Sequence, residues 1–373
     1  MELYFDHAAT SPMRAVAVEA WTVGSAYVNP ASQYAAGRKA RAALETAREQ
    51  IAQLLDCEPI EVIFTGSGTE ADATAITGYW ASREKTNGAQ RVVASPLEHP
   101  AVRENVAPLP VEYLGISPQG VVNDFSALEE PAAVVTCMLA NNETGAIQPV
   151  AEIASRARAT NSPVHIDAVQ AVGHIPVSFR QLGTTTLAAS AHKFGGPRGV
   201  GLLLASRSPI PAALIRGGGQ ERGLRSGTVD VAGAMATAAA LEEACAEMEA
   251  EAQRLSQLRD ILRAGIVEQV SDVVVHTPEV ALPGHLHVSF PGAEGDSLIM
   301  LLDHAGFSAS TGSACSQGVN RASEVLLAMG VSEQVARGAI RFSLGRTNTR
   351  EEVDLLLKVL PDLVARARLA GMA

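Results

Sequence analysis

Short apolar runs rich in β-branched residues alternate along this chain with longer helix-like stretches, and no other feature of the sequence constrains its fold as strongly. The runs are Glu61 to Phe64, Arg91 to Ala94, Ala133 to Met138, Val164 to Ile166 and Gly201 to Leu204. Helix-like stretches cover Ala35 to Leu55, Glu70 to Ser82 and Val150 to Thr160. Such alternation predicts an α/β fold with a mostly parallel central sheet. An alanine-rich helix over Val231 to Val267 follows and reads as a link. Beyond it, strands at Val273 to His276 and Leu286 to Phe290, with helices near Asp296 to Ala305, Ser323 to Leu327 and Arg350 to Ala370, suit a smaller α+β unit. A chain of 373 residues exceeds one ordinary core, so two units are expected.

Charge and cysteine usage narrow the class of function. A formal net charge of −11 argues against nucleic acid as a general partner, because phosphate binding wants a basic face. The N-terminus has no basic region followed by an apolar run, and no segment stays apolar long enough to span a bilayer, so a cytoplasmic protein without membrane contact is expected. Four cysteines at irregular positions form neither a disulfide framework nor a metal-ligand pair; reduced thiols and no metal are expected.

Three segments carry chemistry. Ser190 to Gly199 reads Ser-Ala-His-Lys-Phe-Gly-Gly-Pro-Arg-Gly, in which Lys193 can bond a cofactor aldehyde while Ser190 and His192 meet a phosphate. A lysine near glycines is also what a solvated loop contains. Upstream, the apolar strand Val164 to Ala171 ends with Asp167 and Gln170. A buried aspartate there suits the pyridine nitrogen of pyridoxal phosphate, which must stay protonated for the ring to draw electrons; a helix N-cap or turn is the bland reading. Gly66-Ser67-Gly68-Thr69 follows a strand and opens a helix, so its backbone N–H groups and the helix dipole can face an anion. A simple tight turn reads the same way.

The cysteines divide into two kinds. Cys57, Cys137 and Cys245 sit in apolar or helical settings and are expected to be packing residues. Cys315 lies among small and polar residues, Ser310 to Gly318, which have little to bury. As a thiolate it can attack sulfur and hold it as a persulfide.

These segments, in this order, resemble the cysteine desulfurases of the nitrogen-fixation and iron–sulfur-cluster type, within the class V aminotransferase-like pyridoxal phosphate enzymes. The likeness covers nearly the whole chain and includes Tyr4 to Thr10, Asn29 to Ser32, Phe64 to Ala71, Leu97 to Val102, Asn141 to Val150, Gly217 to Thr228, Ser310 to Ser316 and Arg341 to Arg346. It implies fold type I, with a large cofactor-binding domain over 14–248 and a small domain made of 1–13 and 249–373 that carries the cysteine loop. It implies that Gly68, Thr69, Ser190 and His192 hold the phosphate, with Thr228 reaching the neighbouring subunit of a homodimer with shared active sites. His99 would stack on the ring and shuttle protons, and Asn142 and Gln170 would bond near the ring oxygen and the substrate. Arg341 would clamp the substrate carboxylate as a bidentate fork. Lys193 would act as base and Cys315 would take sulfur from L-cysteine, leaving L-alanine and passing sulfur to an acceptor protein.

Some residues depart from the pattern. Tyr34 stands where many relatives carry histidine, His7 replaces a common asparagine, and Gly66-Ser67 inverts the usual order, so the pocket rim and the phosphate contacts are expected to differ. The chain ends at Ala373, soon after its last helix, whereas relatives serving an iron–sulfur scaffold often continue. Iron–sulfur clusters, tRNA thiolation and other sulfur modification stay open as destinations. Selenocysteine lysis, another C–S cleavage and transamination are the alternative reactions. A non-catalytic protein on this fold would be expected to lose Lys193 or Cys315, and both are present.

Overall fold

The structure, a computed structural model, describes residues 3–312 and 322–371. In chain order its strands are β1 (Leu3–Tyr4), β2 (Val62–Thr65), β3 (Val92–Ala94), β4 (Val111–Tyr113), β5 (Gly115–Ile116), β6 (Val122–Asp124) and β7 (Val134–Thr136). The rest are β8 (Val164–Asp167), β9 (Thr186–Ser190), β10 (Gly201–Ala205), β11 (Val274–Val275), β12 (His285–Ser289), β13 (Phe307–Ser308) and β14 (Ala339–Ser343). Among the described residues the largest sheet has the order β2-β10-β9-β8-β7-β3-β4. Strand β10 is antiparallel to both its neighbours, and the pairings from β9 through β8, β7 and β3 to β4 are all parallel. Helices cover the faces of a parallel sheet, so its central strands are buried on both sides and read as unbroken apolar runs rather than as alternation. β7, β8, β9 and β10 are buried at every position.

Helix boundaries follow their caps. Ser67 accepts the backbone N–H of Glu70 at 3.0 Å, so the helix expected from Glu70 begins at Gly68. Ser323 does the same for Leu326 at 3.1 Å, and the helix expected from Ser323 is Glu324–Ala328 with that serine outside it. The alanine-rich helix runs Val231–Gln269, 39 residues and about 58 Å long. Its first half packs Ala234, Ala238 and Leu241 into the hydrophobic cluster around the large sheet. Its second half sends Leu255, Leu258, Leu262 and Ile266, a single helical stripe, into another cluster.

That second cluster joins the two ends of the chain. β1 pairs in parallel with β13, Phe5 meets Phe307 and Phe342, and β12 lies between β11 and β14 in an antiparallel sheet. The helix Arg350–Gly371 contributes Val353, Leu356, Leu360 and Val364. Once past Phe5 the chain leaves this cluster and turns back on itself at residues 6–10, where the N–H groups of Ala9 and Thr10 both donate to Asp6 O. Among the described residues no helix is long and apolar enough to cross a membrane.

Candidate active site

In an open parallel sheet the strands' carboxyl ends leave a crevice, and the turns that leave them supply its walls. A cleft of about 230 Å³ lies there. β2 leads into Gly68 and Thr69, β8 ends at Asp167 with Gln170 beyond it, and β9 ends at Ser190 with His192 and Lys193 beyond it; all these residues line the cleft. The turns after β3 and β7 add His99 and Asn142. Two expected residues stand elsewhere, and a third is not among those described. Thr228 is exposed and outside the lining, Arg341 is buried behind Asn142, and Cys315 lies outside the described residues.

The helix that starts at Gly68 presents its first N–H groups to the cleft. Ser67 engages the N–H groups of Glu70 and Ala71, so those of Gly68 and Thr69 have no acceptor within the helix. A Cβ on Gly68 would stand 2.8 Å from Val169 Cγ2 and 3.2 Å from Ser190 Cβ, so glycine lets the helix end close on β8 and β9. The inverted Gly66-Ser67 pair keeps this backbone arrangement and puts the serine to use as the cap.

Burial sets the charges. The Asp167 carboxylate accepts the Val169 N–H at 2.9 Å, and burial, with Asp72 nearby, pushes its pKa up to about 6 against the pull of His99. Burial, with Arg341 next in weight, brings the Lys193 amine down to about 8. His99 Nδ1 accepts the Ala101 N–H at 3.1 Å, so a neutral ring carries its proton on Nε2, and burial holds the ring neutral. His192 is lowered to about 4, again by burial first and then by Lys193. Among the other cysteines, Cys137 is buried and Cys57 and Cys245 are half-buried. Burial pushes the Cys57 thiol up to about 12 and raises the other two, which disfavours the thiolate in all three.

Sequence reasoning misses two contributors. The turn at residues 6–10 forms one side of the site: Lys193 Nζ donates to Ala8 O at 2.6 Å and Ala9 O at 3.1 Å, and Gln170 Nε2 donates to Ala8 O at 3.0 Å. Thr10 Oγ1 lies 3.0 Å from His192 Nδ1. The Tyr4 to Thr10 match marks this segment without naming a role for it. The second contributor is the pair formed by Asp72 and His165, 3.0 Å apart and both fully buried beside Asp167. His165 also meets Thr186 Oγ1 at 3.0 Å. A histidine two residues before Asp167 in an apolar strand points to the same face and was the available signal.

The side chains of His7 and Tyr34 do not line the cleft. His7 lies 3.3 Å from Ser11 Oγ and 3.1 Å from Thr347 Oγ1, and it faces a separate cavity of about 60 Å³ on the far side of Lys193 and Gln170. Tyr34 is 59% exposed and does not line the cleft.

A glycine-made anion cradle, a buried carboxylate and a lysine amine of lowered pKa on one cleft wall fit pyridoxal 5′-phosphate. Together with the sheet they define a pyridoxal phosphate enzyme of fold type I. The comparisons agree. Residues 3–356 match the aminotransferase class-V family. The "IscS-like cysteine desulfurase" of Mycobacterium tuberculosis is 43% identical over 99% of this chain and 98% of its own length. "Cysteine desulfurase IscS" of Dictyoglomus turgidum is 39% identical over 98% and 95%. A solved "NifS-like protein" superposes with a TM-score of 0.90 at 36% identity, covering 98% of this chain and 100% of that one. The chain belongs to the class-V aminotransferase family and, within it, to the cysteine desulfurases.

Proposed function

We propose that this cleft converts L-cysteine to L-alanine through the roles below, and the observation that carries the reading is the Lys193 amine held beside Asp167 and the Gly68 cradle. When bound, pyridoxal phosphate supplies an electron sink for a carbanion at the substrate Cα. The N–H groups of Gly68 and Thr69, with Ser190 and His192, would hold its phosphate, and Asp167 would hold the proton on its ring nitrogen. Lys193, whose amine is neutral above about pH 8, removes the Cα proton and later returns one. His99 would stack on the ring and shuttle protons through Nε2, and Asn142 and Gln170 would bond near the ring oxygen and the substrate. Arg341 binds the α-carboxylate.

Sulfur transfer falls to Cys315. Its thiolate attacks the substrate Sγ, the Cβ–Sγ bond breaks, and the electron pair stays on Cβ, which takes a proton to give alanine. The products are alanine and a Cys315 persulfide, so atoms and electrons balance without another reactant. The high thiol pKa values of Cys57 and Cys137 support this choice.

Three further readings accompany it. A homodimer with shared sites is supported by the exposure of Thr228 away from its own cleft and by exposed Trp21, Tyr27, Ile210 and Leu214. A large part over 14–248 and a small part from 1–13 and 249–373 are supported by the two hydrophobic clusters. A cytoplasmic enzyme passing sulfur to a protein acceptor, for iron–sulfur clusters, tRNA thiolation or another sulfur modification, is the third, and the relatives' desulfurase names support its sulfur-transfer part.

The test is intact mass and peptide mapping after L-cysteine is added to the holoenzyme, with alanine measured in the same sample. One sulfur on Cys315 and matching alanine is the expected result. Cys315→Ala should bind cofactor but form neither product; alanine released at the wild-type rate by that variant overturns the nucleophile assignment.

A further inference from the structure

Arg341 is placed by a carboxylate from the start of the chain. Its Nη2 donates to Asp6 Oδ1 at 2.6 Å, and its Nη1 donates to Asn142 O at 2.7 Å. Its side chain is 5% exposed, and its Nε is buried with no acceptor among the described residues. A guanidinium has five N–H donors in a planar fork. Nη1 and Nη2 each give one here, and the N–H of Nε is among those left over. A buried charged donor is costly to leave unpaired, so this N–H calls for an acceptor that the described chain does not supply.

The main chain that carries the Asp6 carboxylate is anchored. Asp6 bridges to Ser343, two residues along β14 from Arg341, so the carboxylate and the guanidinium stand on neighbouring strands. The Asp6 carbonyl closes the 6–10 turn by accepting from Ala9 and Thr10. The Asp6 main chain is therefore held on both sides, and this fixes the direction from which its carboxylate reaches Arg341.

We infer that Asp6 is a positioning residue for substrate: it holds Arg341 by one N–H of Nη2 so that the remaining N–H groups, that of Nε among them, receive the α-carboxylate of L-cysteine. This rests on the reading of Arg341 as the carboxylate clamp. Asp6 itself touches neither cofactor nor reacting atoms in this role.

The test compares L-cysteine with cysteamine, which lacks the carboxylate, by the absorbance change each produces in the holoenzyme, for wild type, Asp6→Asn, Asp6→Glu and Arg341→Ala. Asp6→Asn should weaken L-cysteine by about tenfold, the loss of one charge-assisted hydrogen bond, and leave cysteamine unchanged. Steady-state rates should show the same loss in KM, with kcat little altered. Asp6→Glu, which restores the charge on a longer arm, should recover part of the affinity, and the ratio of the two affinities can be read on whatever fraction of a variant retains cofactor. Equal weakening of both ligands, or L-cysteine bound as tightly as by wild type or more so, overturns the inference. If Arg341→Ala leaves the L-cysteine to cysteamine ratio unchanged, the clamp reading itself fails; if that ratio collapses while Asp6→Asn does nothing, only the role of Asp6 fails.

Discussion

The amine of Lys193 lies 2.6 Å from the carbonyl oxygen of Ala8, a residue 185 positions earlier in the chain. The contact holds the amine at the cleft wall while burial lowers its pKa to about 8. The neutral, nucleophilic form therefore gains about tenfold per pH unit up to 8 and levels off beyond it, where an ordinary lysine would keep gaining past 10. The rate at which apoprotein takes up pyridoxal phosphate, followed by absorbance from pH 6 to 10, should show that plateau. A rate still climbing steeply at pH 10 contradicts it, and Lys193→Ala should take up no covalently held cofactor.

Asp167 titrates in the opposite sense. Its carboxyl is raised to about 6, so the charge is present above that pH and is lost as pH falls through it. Cofactor affinity should therefore decline below pH 6. Phosphate titration contributes to any such decline, so the informative quantity is the difference between wild type and Asp167→Asn. That difference should be large at pH 8 and shrink toward pH 5; a constant difference means that Asp167 is not the titrating group.

Gly68→Ala should weaken the cofactor more than it weakens the fold. The added Cβ meets Val169 Cγ2 at 2.8 Å and Ser190 Cβ at 3.2 Å, both on the cleft wall, and overpacking of this kind costs about 1–3 kcal/mol. Adding Val169→Ala removes the nearer of the two clashes. Dialysis equilibrium with pyridoxal phosphate should show affinity lost in the single variant and largely regained in the double.

Glu221 predicts a stability effect without a catalytic one. Its carboxylate accepts from Arg48 Nη1 at 2.9 Å and Nη2 at 2.7 Å and from the Phe64 N–H at 2.8 Å, with both side chains buried. Glu221→Ala takes the bidentate partner from the buried Arg48 and leaves it only the half-exposed Glu45 carboxylate, 3.2 Å from Nε, so it should cost about 3 kcal/mol in urea unfolding. The double change Glu221→Leu with Arg48→Met should cost less than the single one. If it costs as much, the pair's charge is not what matters.

The sheet and most of the cleft were legible because both are written locally. Apolar runs of three to six residues mark strands, and glycine, serine and aspartate at strand ends mark the turns, which is how Gly68, Asp167, Ser190 and Lys193 come to line one cleft. Strand β9, Thr-Leu-Ala-Ala-Ser, escaped because alanine and serine are weak strand formers, and only its place between β8 and β10 makes a strand of it. β14 is similar, with Arg341 inside an otherwise apolar strand. What could not be read was any contact between distant segments. That Asp6 faces Arg341, or that Ala8 lends its carbonyl to Lys193, follows from the pairing of Asp6 with Ser343 and not from either neighbourhood alone.

The stitching of the first residues to the last strands has a consequence for how the enzyme is made. Leu3 pairs with Phe307 and Asp6 with Ser343, so the opening residues leave the ribosome and wait for about 300 more before their partners exist. The strands of the large sheet, by contrast, all lie between residues 62 and 205 and can pair long before synthesis ends. A nascent or clipped chain can therefore own the phosphate cradle and the lysine while lacking the wall that holds that lysine in place. The wall beside Lys193 is anchored only once residues 307 and 343 have been made and paired.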